Sequence, residues 1–204
     1  ENSTLVYDWS GNGNNGLVYN GVFNSTGYIG GSYEFGIDSN SQINSSNVNN
    51  LDNFTQFTVS VWINLRLNAS ELGNQFWFAN RRNDTYGSVW SMAVYNSDDR
   101  FWFYTLNNTG GTRYSYSSTK IVKNNWYNLV GRYNTTHTCV YVNSIREYCG
   151  TFTGMIPYAN GPFEINRFYF NGSIDEVAIW NRSLSDEEIS ALYNYSRTKF
   201  YPVF

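Results

Sequence analysis

Along most of the chain apolar residues recur at every second position, the spacing of strands whose alternate side chains face opposite ways. The longest run is FTVSVWINL, Phe57 to Leu65. Here Phe57, Val59, Val61 and Ile63 make one continuous apolar face, while Ser60 and Asn64 share the other with Trp62. This predicts a central strand with Phe57 to Ile63 in the core. Upstream, Leu5, Val6 and Tyr7 form a short first strand. LVYNGVF (Leu17 to Phe23), YIGGSYEFG (Tyr28 to Gly36) and SQINS (Ser41 to Ser45) read as further short strands bounded by turn residues. From Phe76 to Tyr116 the aromatic-rich runs QFWFANR, VWSMAVYN, RFWFYTL and RYSYSS predict a meander. WYNLVGRYN (Trp126 to Asn134) adds a strand, and VYVNSIREY reads as a hairpin turning near Asn143 and Ser144.

The period changes within residues 171–194, NGSIDEVAIWNRSLSDEEISALYN. Ser173 to Trp180 predicts a strand with Asp175, Val177 and Ile179 on one face and Ile174, Ala178 and Trp180 on the other. Ser185 then stands as an N-cap with Glu188 three residues on, and Leu184 and Ile189 form a hydrophobic staple. The short helix that follows is expected to bury Ile189, Leu192 and Tyr193. On a face shared with Val177 and Ile179, Asp175 is expected to point inward, where an ionised carboxylate needs a charge partner or several donors. No period of about 20 to 50 residues recurs. One all-β domain spanning 1–204 is predicted: a two-sheet antiparallel β-sandwich, or jelly roll, with one short C-terminal helix.

Charge narrows the partners. Thirteen Lys and Arg stand against 16 Asp and Glu, with no basic run, which argues against a nucleic-acid groove or an anionic membrane surface. No apolar run reaches the roughly 18 to 20 residues that span a bilayer, so no membrane insertion is expected within the segment. The chain begins at Glu1, and it is expected to be a mature or excised segment whose signal or anchor lies outside it. Asn-x-Ser/Thr sequons occur at Asn2, Asn24, Asn44, Asn53, Asn68, Asn83, Asn107, Asn134, Asn171, Asn181 and Asn194. These eleven compare with about five expected by chance from 30 Asn and 37 Ser and Thr. The excess points to a glycoprotein outside the cell or on its surface, although an Asn-rich composition also produces sequons. Cys139 and Cys149 flank the hairpin almost symmetrically, which places them across a strand pair; with the sequon excess, a disulfide is expected over two reduced core cysteines. Zinc would want two more ligands, and the only histidine is His137.

The stretch GSIDEVAIWNRSLS, from Gly172 to Ser185, resembles the signature that closes laminin G-like domains of the concanavalin A-like lectin/glucanase superfamily. YDWSGNGNNG (Tyr7 to Gly16) is similar to the family's D-x-S-G-N-G-N-x-G loop, and FTVSVWINL to its F-T-(I/V)-S-x-W strand. WYNLVGRYN and CVYVNSIREY (Cys139 to Tyr148) agree with its next two pieces, in the right order over nearly the whole chain. Ser144 stands where the family usually has glycine in the hairpin, which suggests a looser or different turn.

Three functional expectations follow. First, the Gly/Asn loop after Asp8 can meet the start of the Ser173 strand, bringing Asp8, Asn14 and Asp175 together with loop carbonyls. Hard oxygen donors of this kind suit Ca²⁺, and the resemblance implies a structural Ca²⁺ in such a place. The alternative is metal-free: Asp175 accepts backbone N–H groups and Asp8 begins a turn. Second, the superfamily's glucanases need two carboxylates about 5 Å apart, in an E-x-D-x-(x)-E pattern that no strand here carries. Asp175 and Glu176 are adjacent and alternate in face, while Asp186, Glu187 and Glu188 sit in a first helical turn, where acids offset the dipole. No enzyme is expected. Third, seven Trp, 18 Tyr and 14 Phe exceed the needs of such a core, and aromatic rings beside Asn and Arg suit sugar faces. Arg81, Arg82, Trp90, Tyr95, Trp102 and Tyr104 form the candidate cluster. The reading is an extracellular, non-catalytic carbohydrate-binding or adhesion module of a larger surface or secreted protein, with glycans or glycoproteins as partners. The alternatives are a structural surface module without a small-molecule site and a glycoside hydrolase of the same fold.

Overall fold

A computed structural model describes residues 3–37, 40–45, 48, 51, 54–83, 87–167 and 169–198, with side chains described through 195. Asn2 and Asn53, two of the sequons, lie outside these residues. The strands form two antiparallel sheets that face one another as a β-sandwich. The eight-stranded sheet runs β1 (Leu5–Val6), β2 (Gly16–Tyr19), β5 (Gln42–Ser45), β14 (Phe163–Ile165), β7 (Phe76–Asn83), β8 (Gly87–Val94), β9 (Arg100–Leu106) and β10 (Thr112–Lys120). The seven-stranded sheet runs β13 (Ile145–Thr151), β12 (His137–Val142), β11 (Trp126–Tyr133), β6 (Phe57–Leu65), β15 (Gly172–Trp180), β4 (Ser32–Phe35) and β3 (Val22–Asn24). The predicted meander is β7 to β10, neighbours in chain order.

The core lies between the sheets. Phe57, Val59, Val61, Ile63 and Leu65 of β6 are all fully buried on one face, as the alternation predicts. The Phe57 ring spans the sandwich, 5.6 Å from Trp90, 5.8 Å from Phe103 and 6.2 Å from Tyr133. Gly131 permits this packing, because a Cβ there would lie 2.6 Å from the Phe103 ring. At one end β10 lies against β12 and β13. Glu147 accepts hydrogen bonds from the Ser118 and Thr119 N–H groups, each at 2.8 Å, and the Ser115 and Thr138 hydroxyls meet beneath them. Cys139 and Cys149 are direct cross-strand partners on β12 and β13 and form the predicted disulfide.

Helix α2 (Asp186–Thr198) covers the outer face of the seven-stranded sheet. Ser185 and Glu188 make the predicted reciprocal cap, with Glu188 N–H donating to Ser185 Oγ at 3.2 Å and Ser185 N–H to Glu188 Oε2 at 2.8 Å. Leu184 and Ile189 are buried with Val130, Cys139 and Tyr141, and Tyr193 stacks on Trp62. Asp186 anchors the helix to the sheet by accepting from Arg132 and from the Tyr141 hydroxyl, both at 2.7 Å.

Several local expectations change. Leu17 to Phe23 is not one strand: Asn20 takes φ +50°, and the chain crosses from β2 in one sheet to β3 in the other. Of Tyr28 to Gly36, only β4 is strand. The hairpin turn is not looser: Asn143 and Ser144 have φ of +50° and +69°, the two positive values a type I′ turn requires, so serine occupies the glycine conformation. A second helix, α1 (Ala69–Leu72), is one turn long, with Glu71 reaching back to the Asn68 N–H at 2.7 Å and Gly73 closing it at φ +67°. The three-residue β14 is too short to leave a pattern in the sequence.

Candidate ligand-binding face

Because Trp90, Met92 and Val94 of β8 and Phe101 and Phe103 of β9 turn into the core, Ser91, Ala93, Trp102 and Tyr104 project from the outer face of the meander. Strand register aligns one transverse row on that face: Asn44 on β5, Glu164 on β14, Asn80 on β7, Ser91 on β8, Tyr104 on β9 and Tyr114 on β10. The adjoining row holds Trp77, Ala93, Trp102 and Tyr116.

The aromatic members touch. Trp102 meets Trp77 edge-on at 5.1 Å, Tyr114 at 5.4 Å and Tyr104 at 6.5 Å; Tyr104 and Tyr114 are 4.9 Å apart, and Tyr116 joins Tyr114 to Tyr95. The Arg100 guanidinium lies 5.2 Å over Tyr116. Trp102 is the buried hub, while Tyr114 is 49% exposed. Burial, then the neighbouring tyrosines, pushes the Tyr104 and Tyr116 hydroxyls above the usual tyrosine range, Arg100 opposing this at Tyr116, so both are neutral donors at physiological pH.

The row's other end is polar. Glu164, almost fully buried, accepts from Asn80 Nδ2 at 3.0 Å and Arg167 Nη1 at 2.7 Å, and faces Arg82 Nη1 at 3.7 Å. Beneath the surface layer Asn80 Oδ1, Ser91 Oγ and Trp102 Nε1 have no hydrogen-bond partner. Beyond Trp77 a groove of about 320 Å³ is lined by Trp77, Tyr169, Asn74, Gln75, Asn96 and Gly73.

Of the sequence cluster, Trp102, Tyr104 and Tyr95 come together here and Arg82 stands at the polar end. Trp90 does not join them; it is fully buried between Phe57 and Phe163. Arg81 turns inward too, 1% exposed, donating to the carbonyls of Ala159 and Gly161. Sequence reading missed Trp77, Tyr114, Tyr116, Glu164 and Arg167. The β10 alternation of Tyr114 and Tyr116 was visible, but their place opposite Tyr104 and Trp102 is a matter of register.

Asp8, Asn14 and Asp175 line a second feature, a cleft of about 610 Å³ between the two sheets whose floor includes Ile43, Phe163 and Ile174. Trp9, 84% exposed, stands at its mouth. Asp8 accepts the Ser10 and Asn14 N–H groups of its own loop, each at 2.9 Å. The inward direction predicted for Asp175 is corrected by a bulge: Glu176 takes φ +48°, and the register with β6 slips by one residue between Asp175 and Ala178. Asp175 therefore pairs with Trp62 on the outer face, while Ile174 and Ile179 pair with the core residues Ile63 and Val59. It is still only 7% exposed, because the Gly27–Gly31 loop wraps it; Ile29 and Glu176 donate at 2.9 and 2.8 Å. Gly27 is needed there, since a Cβ would fall 2.7 Å from Asp175 Oδ2. Burial pushes Asp175 up to about 6, against the pull of these N–H donors.

Both carboxylates thus have the hydrogen bonds of the metal-free alternative. Among the described residues, no group of three or more His, Cys, Asp or Glu side chains is placed to hold a metal. The donor chemistry nevertheless suits a hard cation: Asp8 and Asp175 are among the residues around the cleft, and Asn14 Oδ1 is buried there without a partner.

The described sequons differ in access. Asn181 and Asn194 are exposed, Asn24, Asn44, Asn68, Asn107, Asn134 and Asn171 are half-buried, and Asn83 is 7% exposed, with Nδ2 donating to the Tyr158 carbonyl at 2.8 Å.

A sequence profile of the Laminin_G_3 family, described as the concanavalin A-like lectin/glucanases superfamily, matches residues 35–190. The chain belongs to this laminin G-like family. The Asp8 loop precedes the matched region. No curated protein matches the domain in sequence. Its fold is similar to that of the binding domain of Paraclostridial Mosquitocidal Protein 1 (TM-score 0.78, 20% identity, covering 93% of this chain and 49% of that one). It also resembles the botulinum neurotoxin serotype G binding domain (0.74, 17%, 93% and 48%). A third likeness is to domain 4 of AbnA, an extracellular arabinanase from Geobacillus stearothermophilus solved with arabinotriose (0.66, 18%, 85% and 81%). The laminin G-like domain spans about half the length of the two toxin domains.

Proposed function

We propose that this laminin G-like domain is an extracellular, non-catalytic module that binds glycans on the outer face of β7 to β10. The observation that carries the reading is the contiguous ring layer of Trp77, Trp102, Tyr104, Tyr114 and Tyr116 beside a polar end at Asn80, Arg82 and Glu164. Stacked rings bury the apolar faces of sugars, and neutral tyrosine hydroxyls, amides and guanidinium groups bond to their hydroxyls. The arabinanase neighbour, solved with a bound oligosaccharide, supports this use of the fold, and the disulfide supports an oxidising compartment. No helix among the described residues is long and apolar enough to cross a membrane. An adhesive role within a longer surface protein, shielded by glycans on sequons such as Asn181 and Asn194, fits the same reading.

Ca²⁺ is part of the proposal. Asp8, Asn14 and Asp175 would hold it, and when bound it would neutralise the two carboxylates and join the N-terminal loop to β15. A glycan array probed with the domain in Ca²⁺-containing buffer tests the main claim. Binding to a defined glycan class, weakened by Tyr114→Ala, is expected; no binding to any glycan would favour a structural module.

A further inference from the structure

The polar end of the row carries a guanidinium group, Arg82, that the carboxylate beside it does not hydrogen-bond. Two guanidinium groups, Arg82 and Arg167, share one carboxylate, Glu164, on a face with no other acid in that row. The sharing is unequal. Glu164 Oε2 is occupied by Arg167 and Asn80 at 2.7 and 3.0 Å, and those two bonds fasten the three-residue β14 to its surroundings. Arg82 sits 3.7 Å from Oε1, beyond hydrogen-bond reach, with its side chain 31% exposed against 5% for Glu164. A structural network alone would need only Arg167. The Arg82 backbone is held by the 161–162 segment, with its N–H donating to the Pro162 carbonyl and Gly161 N–H to its own carbonyl. The guanidinium is therefore presented from a fixed base.

We propose that this face selects carboxylate-bearing oligosaccharides, with Arg82 as the specificity-determining residue. The inference rests on the glycan-binding reading and names the ligand's charge class. An acidic sugar places its carboxylate against Arg82, whose planar fork matches carboxylate geometry in two parallel bonds. Neighbouring rings of the same oligosaccharide run along the row toward Tyr104 and Tyr114. From β14 to β10 the row crosses four strand spacings, roughly 19 Å, long enough for a short oligosaccharide. Glu164 stays buried beneath and keeps Arg82 from pairing fully elsewhere.

The test is isothermal titration of the domain with two matched pairs: trigalacturonate against its methyl ester, and sialyllactose against lactose. At least one acidic member should bind about tenfold tighter than its neutral partner, the difference one well-formed charge-assisted bond gives. Arg82→Gln should bring that ratio to about one, with the acidic member losing more affinity than the neutral one, while leaving the melting midpoint unchanged. Arg82→Lys should keep part of the preference, since it retains charge but not the fork. Equal or tighter binding of the neutral members by the native domain, or an acid preference that survives Arg82→Gln, overturns the assignment. The array separates this from the underlying reading: hits confined to neutral glycans overturn the charge claim and leave glycan binding standing, whereas no hit at all overturns both.

Discussion

Single residues decide where carboxylates and rings point. Asp175 reads from sequence as sharing a face with Val177 and Ile179, and one left-handed residue, Glu176, reverses that phase. Nothing in an alternating pattern announces a bulge, so its direction could not be read from the sequence; its need for several donors could, and the wrapped loop supplies them. Asp186 shows the opposite balance. Burial alone would raise it, but the Tyr141 hydroxyl and the charges of Arg132 and Arg146 outweigh that and hold it below the ordinary 3.8. A carboxylate lowered in the folded state stabilises above its unfolded value, and that contribution is lost as pH falls through the folded value. Asp186→Asn should therefore be less stable than the native domain at neutral pH, with the gap closing below about pH 3.8, followed by urea unfolding across the acid range. A gap that persists unchanged into acid would show that Asp186 acts by packing rather than charge. Trp90 was legible as large and aromatic but not as core, because β8 carries apolar residues on both faces and only register separates Trp90 and Met92 from Ser91 and Ala93.

Elements were legible in proportion to their length. The nine residues of β6 and the capped start of α2 follow directly from alternation and from Ser185, Leu184, Glu188 and Ile189. The one-turn α1, the three-residue β14 and the crossing at Asn20 carry too few residues for a period to show. At the β12–β13 hairpin, Ser144 holds φ +69°, which costs an L-residue about 1 kcal/mol. Ser144→Gly should stabilise the domain by up to about 1 kcal/mol, read from the shift in denaturation midpoint; destabilisation would mean that the turn is held by the serine side chain. The disulfide across the same hairpin closes a short loop, and its reduction with alkylation should cost about 2 to 3 kcal/mol. The N-terminal loop and β15 meet at one cleft, where Ca²⁺ at 100-fold its Kd would contribute about 2.7 kcal/mol and raise the melting midpoint by a few degrees. Asp175→Asn should remove that dependence. Identical calorimetric melts in Ca²⁺ and in chelator, with the apo state confirmed by elemental analysis, would remove the ion from the account.

At the scale of the whole molecule, the two-sheet sandwich was readable because so many strands alternate. The binding face was only half readable, because it is a property of how strands lie side by side. Tyr104 and Trp102 were found from sequence; the tyrosines opposite them on β10, the Trp77 edge and the Glu164 network needed the order β14-β7-β8-β9-β10. The same order places Trp9, the most exposed large hydrophobic side chain among the described residues, in the loop after the edge strand β1, far across the sheet from β10, which makes it a natural control. The most direct test of the account is titration of the strongest array ligand into three proteins: the native domain, a Tyr104→Ala/Tyr114→Ala variant and a Trp9→Ala variant. Removing the two tyrosines should weaken binding by about five- to a hundredfold, since each stacked ring contributes roughly 0.5 to 1.5 kcal/mol, with the fold retained and Trp9→Ala binding as the native domain does. Undiminished binding by the tyrosine variant, or loss on Trp9→Ala alone, would contradict it and move the site to the cleft between the sheets.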